Sequence, residues 1–426
     1  MLQKKSFFSG AALLFLMLPF GNSLFADTPV RVSSVPLALD NAVLSVGNEG
    51  LDSTMSGRVP NYLKAIAGTM PEAAPSFAHL FKTVLYGGTI SPDIKAAMGL
   101  KIAQECGSPY LAAHLTRILK ATEKGRALLS LSANGEPKHS EPKADAERLA
   151  LRYATTLTKA VHGVNDTEFA LVRAYYNDAQ IVELSSVTCF FNYFARFCQG
   201  AGLPLEAWVK EAPDALPKEG SREDSAARIT LASDAEMETG AKLLTPSPDL
   251  KKGLGIGIAN SQRAMMRVPD IGEAWWSYMR TARAGAKLSR TMQLHISFAV
   301  SMTNGCRYCT VHQVVGLKRQ GVEISKLLAM AKDDSALSPS ELVVVTFARK
   351  LTKTPGEVTS ADYETLRKGL GDDREAYDAL LQTCTFSFMN RFTDGLRLPS
   401  EDEAVKIYQE VYGDGSYRAY PSQKSK

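Results

Sequence analysis

Apolar residues recur every three or four positions along most of this chain, which is the spacing of an amphipathic α-helix. The pattern is clearest over Ala146–Lys159 and Ser340–Lys353, and Ser338 and Ser340 stand where a helix N-cap is expected. The tetrapeptides NDTE and TSAD each resemble a helix start with an acidic first turn. Alternating β-branched runs are sparse, so the pattern predicts an all-α fold.

The helical pattern occurs twice. Ser91–His114 reads SPDIKAAMGLKIAQECGSPYLAAH and Ser289–His312 reads SRTMQLHISFAVSMTNGCRYCTVH, so the two segments align without a gap at an offset of 198 residues. Further along, an offset of 195 residues aligns 188–204 with 383–399. We interpret this shared spacing as an internal duplication, which predicts two tandem helical domains in one chain.

The length of the chain also favours two domains, because 426 residues exceed what one core usually spans. The predicted first domain covers residues 45–208 and the predicted second domain covers residues 253–420. Residues 209–252 lie between them and are rich in proline, serine and charged side chains. This composition is typical of a linker or a surface excursion.

The first 26 residues have the pattern of a secretory signal peptide. Lys4 and Lys5 precede a short apolar run, and the chain becomes polar directly after Ala26, where we expect cleavage. No cysteine follows the run closely, which argues against a lipoprotein anchor, and no later segment is apolar enough to cross a bilayer. We therefore expect an exported protein, periplasmic or secreted, without stable membrane insertion.

The charge balance is that of an ordinary globular protein. Charged residues make up 22% of the chain and the formal net charge is +4, which falls to about +2 once Lys4 and Lys5 are removed with the signal peptide. Such a balance leaves no basic surface of the kind that binds nucleic acid. We therefore expect no nucleic-acid partner.

The most concentrated chemistry lies in the segment NGCRYCTVH, residues 304–312. Positions three apart share one face of a helix, so Cys306, Cys309 and His312 can converge. A thiol pair this close can cycle between dithiol and disulfide, and a helix N-terminus or an imidazole nearby favours the reactive thiolate. If the protein is an enzyme, we expect its active site here.

This segment, the helix before it and the later aromatic segments NYFARF and SFMNRF resemble the alkylhydroperoxidase D-like and carboxymuconolactone decarboxylase family. The resemblance implies small all-helical domains and a thiol-dependent peroxidase or disulfide reductase that needs no metal or organic cofactor. It also implies a hydroperoxide substrate and an external thiol reductant. Because such domains bury apolar faces against each other, we expect a homo-oligomer.

The resemblance also suggests roles for single residues. It makes Cys309 the attacking thiolate and Cys306 the resolving thiol, whereas helix-terminus chemistry alone favours Cys306, so the order of attack stays open. His312 would orient or deprotonate the attacking thiol. The residues expected to line the substrate pocket are Tyr308, His295 and Gln313.

Two positions depart from the family pattern. The family histidine four residues after the second cysteine is replaced by Gln313, and the relay glutamate twelve residues before the first cysteine is replaced by Leu294. His295 is adjacent to Leu294 but about 100° further round the helix. A complete relay of carboxylate, histidine and thiol is therefore not predicted from this alignment.

The first copy lacks the thiols. Ser108 and Leu111 stand where Cys306 and Cys309 stand in the second copy, while His114 aligns with His312. A serine hydroxyl is far less acidic than a thiol, so we expect the first copy to be catalytically silent and His114 to be a hydrogen-bonded core residue.

Four other interpretations fit the same residues. The Cys-x-x-Cys could be a structural disulfide, although its tiny loop offers little entropic stabilisation. The two thiols and the histidine could bind zinc or copper, although no second pair of ligands is present. The protein could instead decarboxylate or isomerise a lactone-like acid, as in the thiol-less family branch, or it could be a non-catalytic binding or assembly protein. The retained thiol pair favours the redox interpretation.

Overall fold

The computed structural model describes residues 59–133, 142–210 and 259–417. These residues form seventeen α-helices and no β-strand, which confirms the all-α prediction. The helices of the first half are α1 (Asn61–Thr69), α2 (Ala73–Tyr86), α3 (Pro92–Glu105), α4 (Pro109–Lys120), α5 (Glu123–Ala133), α6 (Pro142–Lys159), α7 (Asp166–Tyr175) and α8 (Asp178–Gly200).

The helices of the second half are α9 (Asn260–Met265), α10 (Pro269–Arg283), α11 (Arg290–Asn304), α12 (Arg307–Arg319), α13 (Ile324–Lys332), α14 (Pro339–Lys353), α15 (Ser360–Leu370), α16 (Asp373–Gly395) and α17 (Asp402–Tyr412). Two short 3₁₀ helices cover Ala207–Lys210 and Pro355–Glu357.

Local capping explains where several helices begin. Asn165 accepts a hydrogen bond from the backbone of Glu168 at the start of α7. Ser338 accepts one from the backbone of Glu341, whose carboxylate bonds back to the Ser338 amide at the start of α14. These caps satisfy amide groups that have no partner inside the helix. The predicted helices over Ala146–Lys159 and Ser340–Lys353 are confirmed as parts of α6 and α14.

Helices α8 and α16 form the centre of the molecule and pack directly on each other. Both are 23 residues long and buried over most of their length. The largest hydrophobic cluster includes residues from both halves, and α2 of the first half also packs on α10 of the second. The two halves therefore share one continuous core.

Two buried arginines also connect the halves. Arg196 on α8 donates to the backbone carbonyl of Thr352 at 3.1 Å, near the end of α14. Arg391 on α16 donates to the backbone carbonyl of Thr158 at 2.9 Å, near the end of α6. A positive side chain at a helix C-terminus satisfies a free carbonyl and opposes the helix dipole. Each half thus supplies the C-terminal cap of a helix in the other half.

Several sequence predictions concern residues outside the described ranges. The predicted signal peptide (1–26) lies wholly outside them, and so does most of the predicted linker (209–252). The duplication and the domain boundaries of 45–208 and 253–420 stay predictions. Across 59–133, 142–210 and 259–417, no helix has the length and apolar character needed to span a bilayer.

Candidate functional site

The two neighbouring thiols lie at the start of α12. Gly305 ends α11 with a left-handed backbone (φ +72°), a conformation that glycine adopts without steric cost. This turn makes Cys306 the N-cap of α12, and its Sγ accepts a hydrogen bond from the backbone amide of Cys309 at 3.4 Å. Both side chains are buried. The thiols therefore lie where the partial positive charge of a helix N-terminus favours a thiolate.

Helix α16 supplies the polar groups around the thiols. The Thr393 hydroxyl lies 3.3 Å from the Sγ of Cys306 and 3.3 Å from the Sγ of Cys309. It also donates to the backbone carbonyl of Met389 at 2.9 Å. Asn390 is held nearby, because its amide nitrogen donates to Ser301 Oγ at 3.1 Å. One hydroxyl therefore contacts both sulfur atoms.

His312 and Glu401 form the charged part of the site. The Nε2 of His312 lies 2.6 Å from a carboxylate oxygen of Glu401, and its Nδ1 lies 2.6 Å from the backbone carbonyl of Tyr308. The Tyr308 hydroxyl donates to the other Glu401 oxygen at 3.0 Å, and its ring stacks on the imidazole at 4.1 Å between centroids. Both imidazole nitrogens thus face acceptors, which is the arrangement that a protonated imidazole satisfies.

The pKa shifts distinguish the two thiols. Burial raises the pKa of Cys309, but hydrogen bonds with Cys306 and Thr393 lower it. The charge of His312 lowers it further, and the net pKa of Cys309 is below that of an ordinary thiol. Burial raises the pKa of Cys306, and the hydrogen bond and charge of Cys309 raise it further, so this pKa is well above the ordinary value. These opposite shifts favour ionisation of Cys309 over ionisation of Cys306.

The same network favours the charged form of the imidazole. Burial lowers the pKa of His312, but the hydrogen bond and the charge of Glu401 raise it, and the net pKa is above that of an ordinary histidine. Burial raises the pKa of Glu401, while its hydrogen bond with His312 lowers it, and the net pKa is below the ordinary value. Each partner therefore stabilises the charged form of the other.

The sequence pattern did not predict that Glu401 belongs to the site. The family pattern expects the relay carboxylate at position 294, which is occupied by Leu294. The structure instead supplies the carboxylate of Glu401, from the segment just before α17. A signal was present in the sequence. Residues 203–206 read LPLE and residues 398–401 read LPSE, so the offset of 195 residues also aligns Glu206 with Glu401.

The first half contains the same hydrogen-bonded network without the thiols. His114 Nε2 lies 2.9 Å from one Glu206 oxygen, and the Tyr110 hydroxyl donates to the other oxygen at 2.7 Å. Ser108 is the N-cap of α4, in the place that Cys306 has at α12. The histidine, the tyrosine and the glutamate are therefore common to both halves, and only the second half adds thiols to them.

The residues expected to line the pocket lie in different places. Gln313 and His312 line a cavity of about 140 Å³ between α10, α11, α12 and α16. The Tyr308 hydroxyl instead donates to Glu401, outside the cavity lining. His295 is fully buried and its Nδ1 lies 3.0 Å from a carboxylate oxygen of Glu341. Of the three expected pocket residues, Gln313 is the one in the cavity wall.

The metal and disulfide alternatives can be compared with the same geometry. All six cysteines are free and buried. Within the part of the chain that the structure describes, no group of three or more His, Cys, Asp or Glu side chains is arranged to hold a metal ion. The expectation that the site works without a metal or organic cofactor stays a prediction.

Comparison with known proteins gives one family match. Residues 269–350 match the model of the Carboxymuconolactone decarboxylase family, so the second half of the chain contains one domain of this family, and the match includes both thiols and His312. Among solved structures, the chain is similar to that of a variant of the debrominase Bmp8 in complex with 2,3,4-tribromopyrrole. The TM-score is 0.38 and the sequence identity 16%, over 44% of this chain and 100% of that one. Among curated proteins, none matches in sequence.

Proposed function

We propose that the protein is a thiol-dependent peroxidase that reduces hydroperoxides through Cys309 and Cys306. The observation that carries the proposal is the environment of Cys309. This thiol lies in the first turn of α12, its pKa is lowered, and a second thiol contacts the same Thr393 hydroxyl. A thiolate with a resolving thiol beside it is the arrangement that peroxide reduction requires.

In the first step the Cys309 thiolate attacks one oxygen of the hydroperoxide. The new S–O bond forms as the O–O bond breaks, which leaves a sulfenic acid on Cys309 and releases the substrate as an alcohol after it takes up one proton. The raised pKa of Cys306 keeps this second thiol protonated during the attack. The imidazolium of His312 stabilises the thiolate by its charge, because both of its nitrogens are engaged by Tyr308 and Glu401.

In the second step Cys306 attacks the sulfur of the Cys309 sulfenic acid. The S–S bond forms, the S–O bond breaks, and the hydroxide leaves as water with the proton of Cys306. An external dithiol then reduces the disulfide through a mixed disulfide and is itself oxidised. The proposal includes export, because residues 1–26 have the pattern of a signal peptide.

A thiol count after denaturation tests this function. The reduced protein contains six cysteines, and we expect one equivalent of cumene hydroperoxide to leave four reactive thiols. Cys306→Ser should instead accumulate a sulfenic acid on Cys309 that dimedone traps. Cys384→Ser is the control, because Cys384 is a buried thiol whose pKa burial raises strongly, and this variant should still lose two thiols.

A count that stays unchanged after peroxide would reject the peroxidase and would leave the decarboxylase-like and binding alternatives. Loss of two thiols in Cys309→Ser would also reject it, because the oxidised pair would then lie elsewhere in the chain.

A further inference from the structure

The cavity beside His312 has an unusual combination of walls. Its sides are apolar and include Trp275, Trp276 and Phe386. Its polar groups are mostly hydrogen-bond donors or cations, and they include Arg283, the last residue of α10, and Arg290, the first residue of α11. No aspartate or glutamate is among the residues that line it. The cavity is therefore apolar and positively charged at the same time.

Neither arginine has an acidic partner within the described residues. Arg283 donates to the side-chain oxygen of Gln382 at 3.3 Å, and Arg290 donates to that of Gln293 at 3.4 Å, so both contacts are to neutral amides. Two acids lie close to the cavity: Glu401, which is paired with the lining residue His312, and Asp378, which lines a smaller adjoining depression. The Asp378 carboxylate accepts hydrogen bonds from the backbone amides of Lys287 and Leu288 and from the guanidinium group of Arg374.

The charge of Arg290 acts on the guanidinium group of Arg283. Burial lowers the pKa of Arg283 to about 10, and the charge of Arg290 lowers it further. Burial also lowers the pKa of Arg290, but Arg283 is half-buried and Arg290 is exposed, so both side chains keep contact with solvent. Two neighbouring cations without an acidic partner repel each other. An anion bound by both guanidinium groups would replace that repulsion by attraction.

The indole groups supply the apolar part of the wall. In the described part of the chain, the N–H of Trp275 and the N–H of Trp276 are buried and have no acceptor. Because these nitrogens are closed to solvent, the rings rather than the N–H groups line the cavity. The apolar part of a ligand would pack against the rings.

The first half of the chain does not repeat these polar positions. At the offset of 198 residues, Arg283 and Arg290 correspond to Leu85 and Pro92, and Trp276 corresponds to Ala78. At the offset of 195 residues, Gln382 corresponds to Val187. Leu85, Ala78 and Val187 are buried core residues of the first half. The cationic cavity therefore occurs in the half that carries the two thiols.

We propose that this cavity binds an amphipathic organic acid, with its carboxylate on Arg283 and Arg290 and its apolar body against Trp275 and Trp276. Paired guanidinium donors match the planar geometry of a carboxylate. The cavity adjoins the thiol site, because His312 lines it and also lowers the pKa of Cys309. That the bound acid is the hydroperoxide substrate itself rests on the proposed peroxidase function.

Isothermal titration of the full chain tests the cavity independently of turnover. The Cys309→Ser variant is titrated with 3-phenylpropionate, with its neutral amide 3-phenylpropionamide, and with acetate. We expect 3-phenylpropionate to bind at least roughly ten-fold more tightly than either of the other two. Because Cys309→Ser cannot turn over, a failed peroxidase assay and a failed titration are separate results.

Two variants and one control locate the binding. Arg283→Gln and Arg290→Gln should each weaken 3-phenylpropionate binding by roughly ten-fold. Arg290 is exposed and Arg283 is half-buried, so Arg290→Gln should fold even if Arg283→Gln does not. Arg280→Gln is the control, since Arg280 is an exposed residue of α10 outside the cavity lining, and it should bind like the parent.

Equal affinity for the acid and its amide would overturn the proposal, and so would full affinity in Arg290→Gln. Acetate binding as tight as that of 3-phenylpropionate would overturn the role of the indole walls.

Discussion

His312 Nε2 and Glu401 Oε2 lie 2.6 Å apart although 89 residues separate them in the chain. This contact connects α12, which carries the thiols, to the segment before α17. It also determines the charge of the imidazole, because the carboxylate raises the pKa of His312 and the other ring nitrogen already faces a carbonyl. Since the charge of His312 lowers the pKa of Cys309, the carboxylate acts on the thiol through the imidazole.

Removal of the carboxylate should therefore make the thiol less acidic. In Glu401→Gln the pKa of His312 should fall, so that less of the imidazole is charged at a given pH, and the pKa of Cys309 should rise. We expect the midpoint of the pH profile for alkylation of Cys309 by iodoacetamide to move to higher pH. Glu206→Gln changes the matching carboxylate of the first half and should leave the midpoint unchanged. A midpoint that moves in Glu206→Gln but not in Glu401→Gln would contradict this account.

The same ion pair should give the fold a defined pH dependence. The pKa of His312 is raised in the folded state, so its contribution to stability is complete below about pH 6.5, the unfolded value, and is lost as the pH rises through the folded pKa. The pKa of Glu401 is lowered, so its contribution is complete above about pH 4.3 and is lost as the pH falls through its folded pKa.

The stability difference between the parent and Glu401→Gln should therefore be largest between about pH 4.3 and 6.5. Urea unfolding across this range measures the difference directly. A difference that is independent of pH would mean that the two residues do not titrate as a pair.

Thr393 should stabilise the thiolate, because its hydroxyl lies 3.3 Å from both sulfur atoms and can turn its one proton from the Met389 carbonyl to the thiolate. Thr393→Val keeps the shape of the side chain and removes the hydroxyl. A hydrogen bond of about 1 kcal/mol corresponds to a roughly five-fold smaller fraction of thiolate at neutral pH. We expect alkylation of Cys309 to slow by that factor. Thr383→Val is the control, since Thr383 is another buried threonine of α16 whose hydroxyl donates to the Ala379 carbonyl, away from the thiols. Unchanged alkylation in Thr393→Val would show that the hydroxyl does not act on the thiolate.

Gly305 should position the thiols through its backbone. An alanine at φ +72° costs about 1–2 kcal/mol, and relief of this strain would shift Cys306 from its capping position. Gly371 ends α15, which contributes no residue to the thiol site; it has φ +76° and nothing within 4 Å of the position of an added Cβ, so Gly371→Ala carries the same backbone strain outside the site. Both variants should lose similar stability in urea unfolding, but only Gly305→Ala should slow the oxidation of the thiol pair by peroxide. Equal oxidation rates in the two variants would show that the turn at Gly305 does not affect the oxidation of the thiols.

The sequence predicted the local features of the fold better than the site. The starts of α7 and α14 were predictable because Asn165 and Ser338 cap backbone amides three residues away. The sequence did not predict Glu401 as the partner of His312, because Glu401 comes from a distant segment and the family pattern pointed to Leu294 instead. The sequence also did not indicate a role for Arg283 and Arg290, because their lack of acidic partners depends on tertiary packing. The signal peptide, the duplication and the homo-oligomer stay predictions.

Substitution of the two histidines of the matching networks should distinguish a structural role from a role in the reaction. His114 and His312 each contact a glutamate and a stacked or tilted tyrosine ring, but only His312 lies beside a thiol with a lowered pKa. His114→Ala leaves the Glu206 carboxylate without its imidazole partner, which should cost about 1–3 kcal/mol of stability. Its rate of disulfide formation with peroxide should match that of the parent at a temperature where both are folded.

His312→Ala should lose similar stability and should also form the disulfide more slowly, because the thiolate of Cys309 loses a nearby positive charge. Urea unfolding and stopped-flow oxidation of the two variants, measured side by side, give both quantities. A selective loss of oxidation rate in His114→Ala with unchanged stability would show that the first half takes part in the reaction.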